Sequence, residues 1–118
     1  SERYSSMVNL LNKRNYFNWT NYSVPTDKAF DKMSVDELKE QLREHIRPVH
    51  CVVIISGMWF AHSNWLKFEM DFANAIGKPV LGVRPRGAKK TPVAVVLGAD
   101  KMVNWNTEAI VDGIRAIS

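Results

Sequence analysis

Residues 50–84, HCVVIISGMWFAHSNWLKFEMDFANAIGKPVLGVR, constrain the fold more than any other stretch of the chain. Cys51, Val52, Val53, Ile54 and Ile55 form an apolar run too short for a globular helix and rich in β-branched side chains, which predicts a buried strand. A loop follows over 56–62, holding a glycine and the aromatics Trp59 and Phe60. Ser63 is placed to cap a helix that ends at Gly77, with Pro79 just beyond to stop it. Val80, Leu81 and Val83 then restart an apolar strand. Strand, loop, helix and strand within about 30 residues make a βαβ unit, whose crossover is right-handed.

The helix in that unit carries one residue out of place. Wound at 100° per residue, it puts Trp65, Phe68, Phe72, Ala73 and Ile76 on one face and Lys67, Asp71 and Asn74 on the other. Glu69 does not join the polar side but projects between Trp65, Ala73 and Ile76. An ionised carboxylate is costly to desolvate unless it is paired or takes up a proton. Glu69 is therefore a candidate site residue on physical grounds. The bland alternative is that it reaches a Lys or Arg at the sheet edge, or lies where the stripe runs out into water.

Composition sets the outer bounds. A chain of 118 residues is one domain with room for a real core. Its 46% apolar and 24% charged residues are ordinary for a soluble globular protein. No apolar run approaches the ~20 residues of a membrane span, and no signal-peptide pattern is present. A single cysteine, Cys51, cannot form an intrachain disulfide, and as an inert buried thiol it fits a reducing, cytoplasmic setting. The net charge of +4 suits an anionic ligand, or simply keeps a small domain soluble.

Along the chain, residues 2–13 read as a helix and 16–24 as a strand of alternating aromatic and polar residues. A polar loop covers 25–33. Ser34 and Glu37 form a capping box opening a helix to about Arg47, with Val35, Leu38, Leu42 and Ile46 inward and Asp36, Glu40, Glu44 and Arg47 outward. After the βαβ unit comes a basic loop, 85–90. Thr91 and Pro92 look like the cap and first position of a short helix through Leu97, stopped by Gly98, although a β-branched strand is also compatible. A final strand is expected over 101–104, and a last helix capped by Thr107 with Ile110, Val111 and Ile114 inward. The alternation implies a parallel sheet with helices on both faces. Such folds normally start with a central strand, so a first strand is expected to be lacking from this chain, truncated at its amino terminus. Ligands of open parallel sheets bind beyond the carboxyl ends of the strands, here the loops 24–33, 56–62 and 85–90.

Neither a P-loop nor a dinucleotide G-x-G-x-x-G is present, nor a G-x-S-x-G elbow. His45, His50 and His62 lack the spacing of a metal site, and no metal is expected. Ser56 follows the buried strand, where a hydroxyl can meet a ligand or merely terminate the strand. Trp59 and Phe60 can stack an aromatic ligand, cover the sheet end or form an oligomer contact. Arg84, Arg86, Lys89 and Lys90 can meet phosphates or form a solvated basic loop. Nothing interleaves aromatic and basic residues as single-strand nucleic-acid binders do.

The run Ser63-Asn64-Trp65-Leu66-Lys67-Phe68-Glu69 after a buried strand resembles the S-x-W-C-x-x-E signature of TIR (Toll/interleukin receptor) domains. Asn21-Tyr22-Ser23-Val24-Pro25, Gly77-Lys78-Pro79-Val80-Leu81-Gly82-Val83 and Val103-Asn104-Trp105-Asn106 resemble the bacterial and archaeal TIR-like group associated with the Thoeris anti-phage system. The likeness spans nearly the whole chain. Leu66 replaces a common cysteine, and the family's first strand and its F-x-S-[HY]-like segment have no counterpart here.

The resemblance implies a flavodoxin-like three-layer α/β sandwich and an enzyme that consumes NAD as substrate, with no further cofactor. Catalytic members break the nicotinamide–ribose bond, releasing ADP-ribose or a cyclic isomer as a signal. Glu69 would be the catalytic carboxylate, Trp65 a pocket wall, and Ser56, Trp59 and Tyr22 substrate contacts. The family also implies homo-oligomers through TIR–TIR contacts and a downstream effector that senses the product, with no nucleic acid or membrane partner. The competing class is a catalytically silent TIR scaffold. A receiver-like domain fits less well, because Ser56 stands where its phospho-acceptor Asp belongs.

Overall fold

The computed structural model describes residues 34–87 and 89–118. The expected helix 2–13, strand 16–24, loop 25–33 and Tyr22 lie outside the described residues. Helix α1 (Val35–Ile46) opens as expected on a capping box: the Ser34 side chain accepts from the Glu37 N–H, and the Glu37 carboxylate accepts from the Ser34 N–H. Two orphan amide donors are thereby satisfied. Leu42 and Ile46 are buried.

Strand β1 (Val52–Ile55) leads into a 3-10 turn (Ser56–Met58) and helix α2 (Trp59–Ala75). The βαβ unit closes with strand β2 (Val80–Val83). Helix α3 (Val93–Gly98), strand β3 (Lys101–Val103) and helix α4 (Thr107–Ile117) complete the described chain. The strands lie in the order β1-β2-β3, all parallel, with Ile54 opposite Gly82 and Gly82 opposite Met102.

Helices cover both faces of this sheet, as the alternation of elements predicts. Alternate strand residues share a face. A Cβ added at Gly82 would meet Val95 of α3, whereas one at Gly113 of α4 would come within 2.9 Å of Leu81 and Val103. Hence α3 lies on the Gly82 face and α4 on the Leu81 face. The Asn74 amide of α2 donates to the Gly98 carbonyl at 3.1 Å, which ties α2 to α3 on that same side. The core between the layers is aliphatic, with Ile54, Leu81, Val80, Val83, Val95 and Ile110 fully enclosed. Each such side chain contributes about 1.5–3 kcal/mol relative to exposure.

Several local expectations shift by a residue or a turn. Residues 59–61 form a helical turn rather than loop, separated from the rest of α2 by a kink at His62 (φ −133°, ψ 30°). Ser63 is thus the first residue past the kink, not the cap. The short helix after the basic loop is capped by Pro92 rather than Thr91, and Gly98 is its last residue. Asn106, not Thr107, caps α4: its side-chain oxygen accepts from Ala109 N–H at 2.7 Å. Cys51 precedes β1 and is half-buried, with burial pushing its thiol pKa up against a smaller opposing hydrogen bond from Ser118. At the far end of α2, Gly77 takes φ +75°. Lys78 N–H reaches Ala73 O at 2.8 Å and Gly77 N–H reaches Asn74 O at 3.2 Å, the paired bonds of a Schellman stop. Among the described residues no helix is long and apolar enough to cross a membrane.

Candidate functional site

The helical wheel is right about Glu69 and wrong about the centre of its stripe. Leu66, Glu69, Met70 and Ala73 are buried, Trp65, Phe68 and Phe72 are half-buried, and Ile76 is 39% exposed. The face turned into the core therefore runs along Leu66, Met70 and Ala73, at helical spacings of four and three. Glu69 borders that run beside Ala73, on the side of Trp65 and Phe72. Lys67, Asp71 and Asn74 are exposed as expected, and Lys67 pairs with Asp71 at 2.8 Å.

Glu69 is only 5% exposed. It is not in water, and among the described residues no Lys or Arg forms an ion pair with it. Its Oε2 is buried with no hydrogen-bond partner. Desolvation accordingly pushes its pKa from 4.5 up to about 8. An unpaired carboxyl in a low-dielectric setting takes up a proton at neutral pH, since burial disfavours the charged form.

Two more of the expected site residues share this condition. The Ser56 hydroxyl and the Trp65 indole N–H are also buried without partners. Buried polar atoms are normally satisfied, so three such orphans in the residues bounding one βα connection are unusual. Ser56 is the first residue past β1, and Trp65 and Glu69 lie one helical turn apart on α2. Trp59 is half-buried in the first turn of α2, before the kink, and Phe60 beside it is 100% exposed. The two loop aromatics thus part: one packs against the core, the other faces solvent. Among the described residues no three His, Cys, Asp or Glu side chains come together as a metal site.

The family model of the Thoeris protein ThsB TIR-like domain matches residues 1–90, about three quarters of the chain. The chain belongs to that family. The match takes in β1, α2 and β2 of the TIR-like domain, and with them Ser56, Trp65 and Glu69. A search of the curated proteins finds no match. Membership supports a TIR-family role in anti-phage defence. Leu66 and Met70, buried on the same helix, are residues that a wheel centred on aromatics passes over. Their spacing to Ala73 is the signal that finds them.

Proposed function

We propose that this TIR-like domain cleaves the nicotinamide–ribose bond of NAD, yielding ADP-ribose or a cyclic isomer as a defence signal. The observation that carries the reading is the Glu69 carboxyl, buried, with Oε2 lacking a hydrogen-bond partner and its pKa pushed up to about 8, on the helix that follows a parallel strand. The nicotinamide of NAD is a pyridinium cation. A cation brought beside Glu69 supplies a counter-charge that no described Lys or Arg provides, so substrate binding favours release of the Glu69 proton.

In the reaction the C–N glycosidic bond breaks and its electron pair leaves with nicotinamide, which departs as a neutral ring and needs no general acid. The positive charge passes to an oxocarbenium-like ribose. A carboxylate fixed beside that charge stabilises it as glycosidase carboxylates do. Poor solvation strengthens the attraction well beyond its value in water. Water then adds to the ribose carbon and gives up a proton, or a nitrogen of the adenine closes the ring instead. Trp65 walls the pocket, the Ser56 hydroxyl and Trp65 N–H are donors for ribose oxygens or the carboxamide, and Trp59 and Tyr22 complete the contacts.

A scaffold role is the second reading, favoured by the full exposure of Phe60 and the outward Val93 and Leu97. The two are separated by following nicotinamide release from NAD for the wild type and Glu69→Gln, with the protein dilute and concentrated. Turnover lost in the Gln variant supports the enzyme. Silence from both, with self-association intact, supports the scaffold.

A further inference from the structure

The carboxyl rim of the sheet holds a second group of side chains that the Glu69 chemistry does not use. In the parallel register Ile54, Gly82 and Met102 are neighbours. Two residues further along each strand come Ser56, Arg84 and Asn104. Alternation returns Arg84 and Asn104 to the face of the sheet that carries α2 and α3, while Ser56 opens the 3-10 turn at the same rim. Neighbouring strands are about 4.8 Å apart, so the three strand ends span roughly 10 Å.

The arginine is held in this row by neutral groups. Its N–H donates to Val103 O at 2.8 Å, keeping the backbone in the ladder one step past the strand. Its Nη1 donates to Asn104 Oδ1 at 3.3 Å. Arg86, two residues on, sits over the Trp105 ring with 5.9 Å from guanidinium carbon to centroid. Neither guanidinium has a carboxylate partner among the described residues. Arg43 and Arg47 of α1, by contrast, pair with Glu40 and Glu44. Two oriented, uncompensated guanidiniums at the ligand-binding edge make a receptor for a doubly charged anion, whose oxygens a planar fork meets in pairs.

We propose that Arg84 and Arg86, braced by Asn104 and Trp105, form the subsite that holds the diphosphate of the dinucleotide. This rests on the reading of NAD as substrate, and it places the adenylate half of the ligand towards β3 while the nicotinamide ribose lies towards β1 and α2. Arg84 fixes register along the rim; Lys89 and Lys90, exposed further along the loop, supply only diffuse field.

The test is calorimetric titration of the full chain with ADP and, separately, with adenosine. Wild type binds ADP more tightly than adenosine. Arg84→Gln weakens ADP at least tenfold, because a charge-assisted bidentate contact is lost, and leaves adenosine within twofold. Arg84→Lys keeps the charge but not the fork and falls between, about three- to tenfold. The double variant Lys89→Gln/Lys90→Gln removes two charges and changes ADP affinity less than threefold. Thermal melts confirm that each variant is folded. Absence of ADP binding by the wild type, an unaffected Arg84→Gln, or an equal loss in the lysine variant would overturn the subsite. The reaction fails independently: arginine-dependent ADP binding without nicotinamide release keeps the subsite and removes the glycohydrolase. Turnover with a KM for NAD indifferent to Arg84 does the reverse.

Discussion

The outer and inner edges of the aromatic face of α2 treat charge in opposite ways. On the flank facing α1, Phe68 and Phe72 stack with centroids 6.3 Å apart under a cover of cations. Lys39 lies 5.1 Å and Arg43 5.3 Å from the Phe68 centroid, and Arg47 lies 5.7 Å from that of Phe72. Glu69 is the next residue after Phe68, yet none of these cations pairs with it. Their charge is directed to ring faces and to Glu40 and Glu44 on the outside of α1. Aromatic rings attract cations at little desolvation cost, so the seam is stable as it stands. A buried carboxyl without a cation is not. The difference indicates that the outer edge of this face builds the fold while its inner edge, beside Ala73, carries a group held ready for a charge that arrives with the ligand.

The largest way to break this contrast is to remove the carboxylate. Glu69→Gln keeps the shape and is expected to lower nicotinamide release by at least 100-fold, on the order of 3 kcal/mol of transition-state stabilisation. Wild-type kcat/KM is expected to climb about tenfold per pH unit until it levels near pH 8, where Glu69 ionises.

Stability should move the other way. With a folded pKa of about 8 and an unfolded one of 4.5, the favourable contribution is fully present below pH 4.5. It is lost as pH rises towards 8, because the unfolded chain has released the proton and the folded one has not. The total is on the order of 5 kcal/mol. Glu69→Gln has no such group, so its denaturant midpoint should gain on the wild type across that window and run parallel to it above pH 8.

The seam gives smaller effects of a different kind. Phe72→Ala is expected to cost roughly 2–3 kcal/mol in denaturant unfolding, less than a full core truncation because the ring is half-buried, and to leave turnover per folded molecule within twofold. Arg43→Gln removes a cation shared between both rings and a surface pair with Glu40. About 0.5–1 kcal/mol is expected, shrinking in high salt.

The same contrast explains what the sequence revealed. Apolar runs at 52–55 and 80–83, the Ser34–Glu37 box and the Gly77 stop announced their elements, because each encodes a local preference. Glu69 stood out since a charge on an apolar stripe is anomalous wherever the stripe is centred. The centring itself was misjudged. Aromatic residues dominate a hydrophobic wheel, but here they face a neighbouring helix whose arginines tolerate partial exposure, while the slimmer Leu66, Met70 and Ala73 meet the sheet. Ile76 falls outside the core for the same reason. The helical turn at 59–61 was missed because 56–62 read as a loop; the kink at His62 falls at the boundary that reading placed before Ser63. Asn106 displaced Thr107 as the cap by one position, a choice between two good capping residues that only the backbone settles. The orphaned Ser56 hydroxyl and Trp65 N–H were visible as candidate residues, but their lack of partners is a property of packing.

Carboxyl carbon NMR of the full chain, labelled at glutamate and assigned through Glu69→Gln, reads the protonation of this one group directly. A Glu69 resonance titrating near pH 8 is what a buried, unpaired carboxyl must show. A midpoint near 4.5 would mean that the side chain is solvated or paired, and the account of α2 as a helix carrying one uncompensated buried carboxyl would be wrong.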